Sequence, residues 1–463
     1  MKGLEMIAVG FPVILALAVL FFVAARQRAL GIAAGGGAGL HSRPNQHGLY
    51  ALLLTLIIGW SILGGGAIIW AAIDKEIVFS AIRDAAPDLK QIEIQLVFGD
   101  ARSLADGTLA SATDPLRREI STLYAHLESW RSWTLFLVST AAAVAAGFYA
   151  WRRVSPEWRA RNRSEQILTG ILWVCAAAAV LTTVGIVLSL IFETLTFFGN
   201  IGWRIDKFLF GTNWSPLAGV QAGVMDPNRV GAVPLFVGTF LITLIAMLVA
   251  VPVGLFSAIY LSDFASPRVR SWAKPMLEIL AGIPTVVYGF FAAITVAPFI
   301  RDSGTFLGLD VASESALAAG VVMGIMIIPF ISSLSDDVIN AVPQSLRDGS
   351  YGLGATKAET IRQVVLPAAL PGIVSAVLLG VSRAVGETMI VVMAAGQGAN
   401  LTLNPLETVT TVTVQIVMLI TGDTDAETAA GPAFSLGFAL FFITLILNVI
   451  ALKVVRRYRE MYD

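Results

Sequence analysis

Long runs of apolar residues dominate the chain, and shorter polar segments separate them. A helix needs about 20 mostly apolar residues to cross the hydrocarbon core of a bilayer. Windows of about that length predict nine spans, near residues 4–24, 49–73, 133–151, 167–192, 232–261, 275–299, 315–339, 372–396 and 433–452. The pattern shows none of the short alternating strands of a membrane barrel. We therefore predict an all-α polytopic membrane protein.

The composition supports this prediction and excludes several other classes of protein. Of the 463 residues, 56% are hydrophobic and only 14% are charged, with a mean hydropathy of +0.77. An ordinary soluble domain carries about a quarter charged residues. The net charge of −1 argues against a nucleic-acid partner. A lone cysteine, Cys175, excludes an intrachain disulfide, and three scattered histidines do not suggest a metal site, so we expect neither metal nor cofactor.

Charges in the short loops predict the orientation of the spans. Basic residues mark the cytoplasmic side of a membrane. The segment 151–163 carries five arginines against one acidic residue, and four basic residues follow Leu452. By contrast, residues 397–432 contain acidic residues and no basic one. These anchors place the C-terminus in the cytoplasm and, by alternation, the N-terminus outside.

The spans divide into two modules near residue 165. Residues 1–165 hold three spans and a polar segment near 74–131, which we expect outside the membrane. Apolar residues alternate over 92–98, which predicts a strand, while Asp114-Pro115 predicts the start of a helix that runs into the third span. The first span is expected to be retained, since basic residues follow it where a signal peptide would be cleaved. No ligand motif stands out, which favours an accessory or partner-docking role.

Residues 166–463 form the second module, with six spans and an informative loop between the seventh and the eighth. Pro343 is well placed to open a short helix, and two glycines then predict a turn that ends at Gly354. Thr356 and Glu359 form the sequence of a capping box, which predicts a second short helix bounded by Pro367 and Pro371. Two capped helices make a rigid knob suited to docking. A merely structural amphipathic loop is the alternative.

The loop resembles the coupling loop of permease subunits of ABC importers. That family's signature is Glu-Ala-Ala, three residues, Gly, nine residues, Ile, one residue and Leu-Pro. The spacing is matched by the loop residues Asp348, Gly349, Ser350, Gly354, Val364, Leu366 and Pro367. The opening triplet departs from the pattern, although Asp348 keeps a carboxylate. The resemblance implies a type I permease fold for the six-helix core and docking of this loop into a separate ATPase. The sequence holds no G-x-x-x-x-G-K-[ST] motif, so we expect a transport subunit and not an enzyme.

Two ionisable residues, Arg383 and Glu387, lie near the middle of the eighth predicted span. Four residues apart, they would share one face of a helix. Charges at this depth are costly and mark functional sites by default. A guanidinium suits a tetrahedral oxyanion, and the carboxylate would accept a proton from hydrogen phosphate while disfavouring sulfate. A structural ion pair is the alternative.

Three strings extend the resemblance to the phosphate-specific permeases of the Pst system, and to the PstC type in particular. They are FGTNWSP at 210–216, LEILAGIPTVVYGFFA at 277–292 and SRAVGETM at 382–389. The match covers roughly residues 170–455. It implies a permease in a bacterial inner membrane that works with a PstA-like second permease, a PstB-like ATPase dimer and a PstS-like phosphate-binding protein. Arg383 and Glu387 match the family's important charged pair.

Other functions remain open at this point. An ABC permease for another oxyanion or small solute would share the architecture, and an ion-coupled secondary transporter would lack the coupling loop. Glu278 is expected to be an interfacial charge, and Asp336 and Asp337 are expected to mark the exit of the seventh span to water.

Overall fold

The computed structural model describes residues 2–34, 40–87, 89–107, 114–218, 225–422 and 426–459. The chain separates into two compact units, Met1–Leu181 and Thr182–Asp463. Within the described ranges all regular structure is helical, apart from an isolated bridge between Trp214 and Val230. Nine helical segments there are long and apolar enough to cross a membrane, which agrees with the predicted number.

The first unit is built from long helices. They are α1 (Lys2–Ala34), α2 (Pro44–Trp60), α3 (Gly66–Ala85), α4 (Gln91–Ala105), α5 (Pro115–Arg152) and the first half of α6 (Ala160–Asn200). A π-helical turn, Ser61–Gly65, joins α2 to α3. Helices α1, α2 and α5 pack together, and a Cβ on Gly147 would lie only 2.2 Å from the ring of Phe21. Small residues thus allow the close approach that membrane helices need.

The polar segment of this unit contains a helix where a strand was predicted. Residues 91–105 form α4, which buries Ile94, Val97 and Ala101 against α3 and α5 and leaves Leu96 60% exposed. The strand prediction was wrong because the apolar alternation over 92–98 is too short to distinguish a period of two from one of 3.6. The predicted N-cap is confirmed, since Asp114 Oδ1 accepts a hydrogen bond from Leu116 N at 3.0 Å. Helix α5 then continues into the third span.

A buried ion cluster joins α3 to α5. Arg131 Nη1 lies 2.8 Å from Asp74 Oδ2, and Arg131 Nη2 lies 3.7 Å from Glu128 Oε1. All three side chains are less than a tenth exposed. Removing one member of such a cluster leaves the others charged and without compensation, which is far more damaging than losing an exposed pair.

The second unit holds the second half of α6 and twelve further helices. They are α7 (Ile205–Phe210), α8 (Val233–Ile259), α9 (Pro267–Gly282), α10 (Thr285–Phe291), α11 (Ala297–Phe306), α12 (Ala316–Ala341), α13 (Gln344–Gly352), α14 (Lys357–Thr360), α15 (Leu366–Val385), α16 (Met389–Ala394), α17 (Val412–Thr421) and α18 (Ala426–Arg459). Three π-helical turns interrupt the series, at Tyr260–Phe264, Ala292–Val296 and Ile361–Val365.

Helices α8 and α12 form the centre of the second unit. A Cβ on Gly320 would lie 2.6 Å from Ile245 Cγ2, and one on Gly324 would lie 2.8 Å from the carbonyl oxygen of Ala246. These two glycines have the spacing that lets membrane helices approach at backbone distance. The core around them is apolar and fully buried, with Met323 and Ile327 at 0% exposure.

Two spans begin or end away from their predicted positions. The sixth starts at Thr285, because Ile283 is extended (φ −68°, ψ 129°), as a residue before proline prefers to be. The eighth segment runs from Lys357 to Val385 and so ends well before residue 396. Both differences arise from breaks in the helix that an apolar run does not reveal.

We predict that Arg131→Met destabilises the first unit by about 3–5 kcal/mol, the usual consequence of breaking a buried ion pair. Thermal unfolding of the purified protein in detergent measures this effect. The matched control is Arg83→Met, since Arg83 pairs with Glu76 at the surface and such pairs contribute about 0–1 kcal/mol. If the two variants unfold at the same temperature, the Arg131 cluster does not stabilise the first unit.

Candidate functional site

Arg383 lies in the last turn of α15 and is exposed in the single chain. The carbon of its guanidinium group lies 5.8 Å from the centroid of the Phe330 ring, on α12. Among the described residues it forms no ion pair. A guanidinium within an apolar span requires compensation. Because the described residues supply only an aromatic ring, they leave the charge uncompensated.

Glu387 does not share a helical face with Arg383, so that prediction was wrong. Helix α15 ends at Val385, and Glu387 lies in the break before α16 begins at Met389. Its Oε1 accepts hydrogen bonds from the backbone N–H groups of Met389 at 3.1 Å and Ile390 at 3.5 Å. The side chain therefore caps α16, where backbone donors favour a carboxylate. No ion pair with Arg383 forms, so the structural-pair alternative lacks support.

The geometry leaves part of the Glu387 carboxylate available. The residue is 9% exposed, and its Oε2 accepts no hydrogen bond from the residues that the structure describes. Its own carbonyl oxygen accepts a hydrogen bond from Thr413 Oγ1 at 2.9 Å, which joins the break to α17. One oxygen thus fixes the carboxylate while the other can accept a hydrogen bond. Together with Arg383, the site offers a cation and an oriented acceptor.

Residues 210–216 lie at the end of α7 and in the loop after it, and this loop is hydrogen-bonded to α17. The indole Nε1 of Trp214 donates to Gln415 Oε1 at 3.1 Å, and Gln415 Nε2 donates to the carbonyl oxygen of Gln397 at 2.9 Å. A Cβ on Gly211 would lie 2.7 Å from the Cα of Gly231. Trp214 therefore helps to hold the extended chain that follows α16, while Gly211 allows the backbone to pass close to Gly231.

The loop between α12 and α15 forms the predicted knob in its first half. Helix α13 begins directly after Pro343, and Gly354 has φ +88°, which ends the turn in the left-handed region. The capping box is confirmed: Glu359 Oε2 accepts from Thr356 N at 2.8 Å, and Thr356 Oγ1 accepts from Glu359 N at 3.4 Å. Between the two helices, the hydroxyls of Ser350 and Thr360 lie 2.9 Å apart.

The second half of the loop differs from the prediction. Helix α14 is not bounded by proline but continues through the π-helical turn Ile361–Val365 into α15, which contains Pro367 and Pro371. A wide turn tolerates the missing N–H of Pro367, because the bonding there has already shifted from the i−4 carbonyl. Leu366 and Pro367 therefore start the membrane helix itself and are half-buried.

The first half of the knob exposes residues that match the signature of the ABC permease coupling loop. Asp348 and Gly349 are exposed, and Asp348 Oδ1 accepts from Gln344 Nε2 at 3.0 Å. Leu353, at the tip, is 92% exposed, and Leu346 is 47% exposed. These two leucines were not foreseen as site residues, although apolar residues in an otherwise polar loop were a signal. The exposed tip is suited to insertion into a groove of another protein.

Asp336 is buried, so the expectation that it faces water was wrong. It is 3% exposed and accepts a hydrogen bond from Lys274 Nζ at 2.8 Å. That hydrogen bond raises the pKa of Lys274. Its neighbour Asp337, with a side chain 68% exposed, lies at the surface as predicted. Glu278 is also exposed.

Comparison with known families places both units. Residues 11–182 match the family model described as phosphate ATP-binding cassette transporter. Residues 250–460 match the model described as binding-protein-dependent transport system inner membrane component. The two matches fall on separate stretches of the chain. The first lies almost wholly in the first unit, and the second lies within the second unit and includes α15, which carries Arg383.

Individual relatives agree with these matches. The chain is 34% identical over 279 residues to the probable ABC transporter permease protein YqgH of Bacillus subtilis (strain 168), covering 60% of this chain and 86% of that protein. It is 34% identical over 313 residues to the phosphate transport system permease protein PstC 1 of Mycobacterium tuberculosis (strain ATCC 25618 / H37Rv), covering 62% and 92%. A solved bacterial ABC transporter for alginate import aligns with a TM-score of 0.42 at 14% identity, covering 62% of this chain and 96% of that chain. A TM-score this low carries no weight for the fold.

Proposed function

The chain belongs to the PstC family of phosphate transport system permeases, and from that membership we propose that Arg383 and Glu387 line its phosphate pathway. As a member, it is a multi-pass membrane subunit of an ATP-driven phosphate importer. It works with an ATPase and with other components of an ABC transporter. The roles of individual residues and the identities of the partners are the substance of the proposal.

The exposed, unpaired guanidinium of Arg383 carries this proposal. Within the described residues it meets the Phe330 ring and no carboxylate. A phosphate oxyanion needs directed donors to replace the water that it loses on entering the membrane, and a guanidinium supplies two of them in parallel. The second permease, of the PstA type, would complete the pathway on the side where Arg383 is exposed.

Glu387 gives the site a preference for a protonated oxyanion. Its Oε1 is held by the N-terminal amides of α16, while Oε2 is left without a partner among the described residues. The P–OH group of hydrogen phosphate can donate a hydrogen bond to such an oxygen. Sulfate has no proton at neutral pH, so the carboxylate would repel it. The site would thus select phosphate because Arg383 attracts the anion, while Glu387 repels an anion that has no proton.

The knob is the proposed ATPase contact. Its exposed carboxylate at Asp348 and its exposed leucine tip at Leu353 support docking into a groove of a PstB-like subunit. A PstB-like dimer would use one such loop from each permease, and a PstS-like protein would deliver phosphate on the opposite face. The excess of basic residues after Leu452 supports a cytoplasmic C-terminus.

The two modules keep their proposed division. Residues 166–463 would form the permease core, and residues 1–165 an accessory module that stays with it. The family match over 11–182 supports a role for the accessory module within a phosphate transporter. Its described residues form a buried apolar cluster and contain no group of three or more His, Cys, Asp or Glu side chains that could hold a metal ion.

We predict that Arg383→Gln abolishes uptake of labelled phosphate at low external phosphate while the complex stays assembled. Glutamine keeps hydrogen-bonding capacity but removes the charge that replaces the anion's hydration. Unlabelled sulfate in excess should not compete with uptake by the unmodified protein. The matched control is Arg301→Gln, since Arg301 is exposed and pairs with Asp302.

Two outcomes would contradict this assignment. Normal uptake by Arg383→Gln would remove Arg383 from the pathway. Competition by sulfate, or an assembled complex that takes up no phosphate, would leave an ABC permease for another oxyanion or solute.

We predict that Leu353→Ser weakens retention of the ATPase during purification of the complex, and that Gly354→Val weakens it further. The first removes the exposed apolar tip, and the second forces a β-branched residue into φ +88°.

The chain offers a control with the same local geometry. Leu307, the C-cap residue after α11, has φ −84° and ψ 1°, the values that Leu353 adopts as the C-cap residue after α13. Leu307 is followed by Gly308 at φ +75°, so Leu307→Ser and Gly308→Val impose similar local changes away from the knob. If all four variants retain the ATPase equally, the knob is not its contact.

A further inference from the structure

A buried arginine fastens the knob to the rest of the second unit. Arg347, on α13, is 8% exposed. Its Nη1 forms an ion pair with Asp263, in the π-helical turn that follows α8. Its Nη2 donates to the carbonyl oxygen of Ile339, on α12, at 2.8 Å. A planar guanidinium with two directed contacts fixes orientation as well as distance. Helix α13 is therefore attached to the ends of both central helices.

A second buried charge lies one helical turn away along α12. Asp336 accepts a hydrogen bond from Lys274 Nζ at 2.8 Å and lies 3.5 Å from Arg270 Nη2. Asn340 Nδ2 donates to the same carboxylate at 2.8 Å, and Asn340 Oδ1 accepts from Ser262 Oγ at 3.2 Å. Polar contacts thus run from the α8 turn through Asn340 to α9. The first of these contacts is made by Ser262, which is next to Asp263, the ion-pair partner of Arg347 on α13.

Helix α9 is attached differently from its neighbours. None of its residues is buried. Its large apolar side chains include Trp272, 75% exposed, and Ile279, 64% exposed, while Arg270 and Lys274 lie against Asp336. An extended pair, Ile283-Pro284, links it to α10. A helix held by charges and joined by a short extended segment can move as a unit.

Helix α9 also borders the candidate phosphate pathway. Lys274 and Glu278 line a cavity of about 200 Å³, whose opposite wall is formed by Phe330 and Ser332 of α12. Phe330 is the ring beside the guanidinium of Arg383. A displacement of α9 would therefore change the space next to Arg383.

We propose that Arg347 and Asp336 are positioning residues that transmit movement of α13 to α9. Arg347 carries a displacement of the knob to the ends of α8 and α12, and Asp336 carries it on to α9 through Lys274. Helix α9 then opens or closes the cavity beside Phe330 in step with ATP binding. This inference rests on the proposed docking of an ATPase to α13.

The experiment measures exposure of α9 in the whole transporter. Cys175 is the only cysteine of the chain, so Cys175→Ala gives a background without cysteine in this subunit. Trp272→Cys then places a thiol on the exposed face of α9. The rate at which a maleimide labels it is compared with and without ATP and orthovanadate. We expect a several-fold change in rate when nucleotide is trapped.

Arg347→Met and Asp336→Asn should each abolish this response while the ATPase still co-purifies and hydrolyses ATP. Phosphate uptake should fall about tenfold, within the range of ordinary coupling between sites. Two matched controls should keep both properties. Arg268→Met changes an arginine of α9 that forms no ion pair among the described residues, and Asp302→Asn changes a carboxylate of α11 whose side chain is 73% exposed.

The outcomes separate this inference from the function on which it rests. If no ATPase co-purifies with the unmodified chain, the docking role fails, and the transmission fails with it. If the ATPase is present but nucleotide leaves the labelling of Trp272→Cys unchanged, or the response survives both substitutions, the transmission alone is wrong. Should Arg347→Met prevent assembly, the exchanged pair Asp263→Arg with Arg347→Asp decides: a restored response supports the link, and its absence overturns it.

Discussion

The high free energy of an uncompensated charge in an apolar surrounding governs this molecule. A charged side chain removed from water must be paired, capped or used. Arg131 is paired with Asp74, Asp336 lies between Lys274 and Arg270, and Glu387 is capped by backbone amides. Arg383 has no such partner among the described residues and lies beside an aromatic ring. Its exposure and its lack of an ion pair there support the proposal that Arg383 binds a group outside the chain.

Long apolar runs predicted the helical fold and the number of spans because hydrophobic length is a property of sequence alone. The capping box at Thr356 and the turn at Gly354 were equally readable, since both depend on neighbouring residues. What the sequence could not provide was the termination of α15 at Val385, where no proline interrupts the apolar run. The burial of Asp336 was also out of reach, because its cationic partners are more than 60 residues away in the chain. The sequence named Arg383 and Glu387 as candidates, while their geometry came only from the structure.

Breaks in the helices of the second unit determine where its polar side chains bind and how they are oriented. Each break releases backbone groups that a membrane helix would otherwise satisfy internally, and polar side chains must then bind them. Glu387 binds the first amides of α16, Thr413 binds the carbonyl of Glu387, and Arg347 binds a carbonyl at the end of α12. The same side chains thereby acquire fixed orientations. The orientation of the Glu387 carboxylate is thus a consequence of an interrupted helix, and a continuous helix would have carried the charges of Arg383 and Glu387 on one face without fixing either.

Two kinds of contact join the helices of the second unit: close packing at glycines and ion pairs between charged side chains. Helices α8 and α12 meet through glycines at backbone distance, and such packing cannot slide without clashes. Helix α9 is held to α12 by ion pairs, which can lengthen or exchange partners over several ångströms because Coulomb attraction falls off gradually with distance. The proposed movement of α9 would therefore change the space beside the Arg383 ring contact while α8 and α12 keep their packed core.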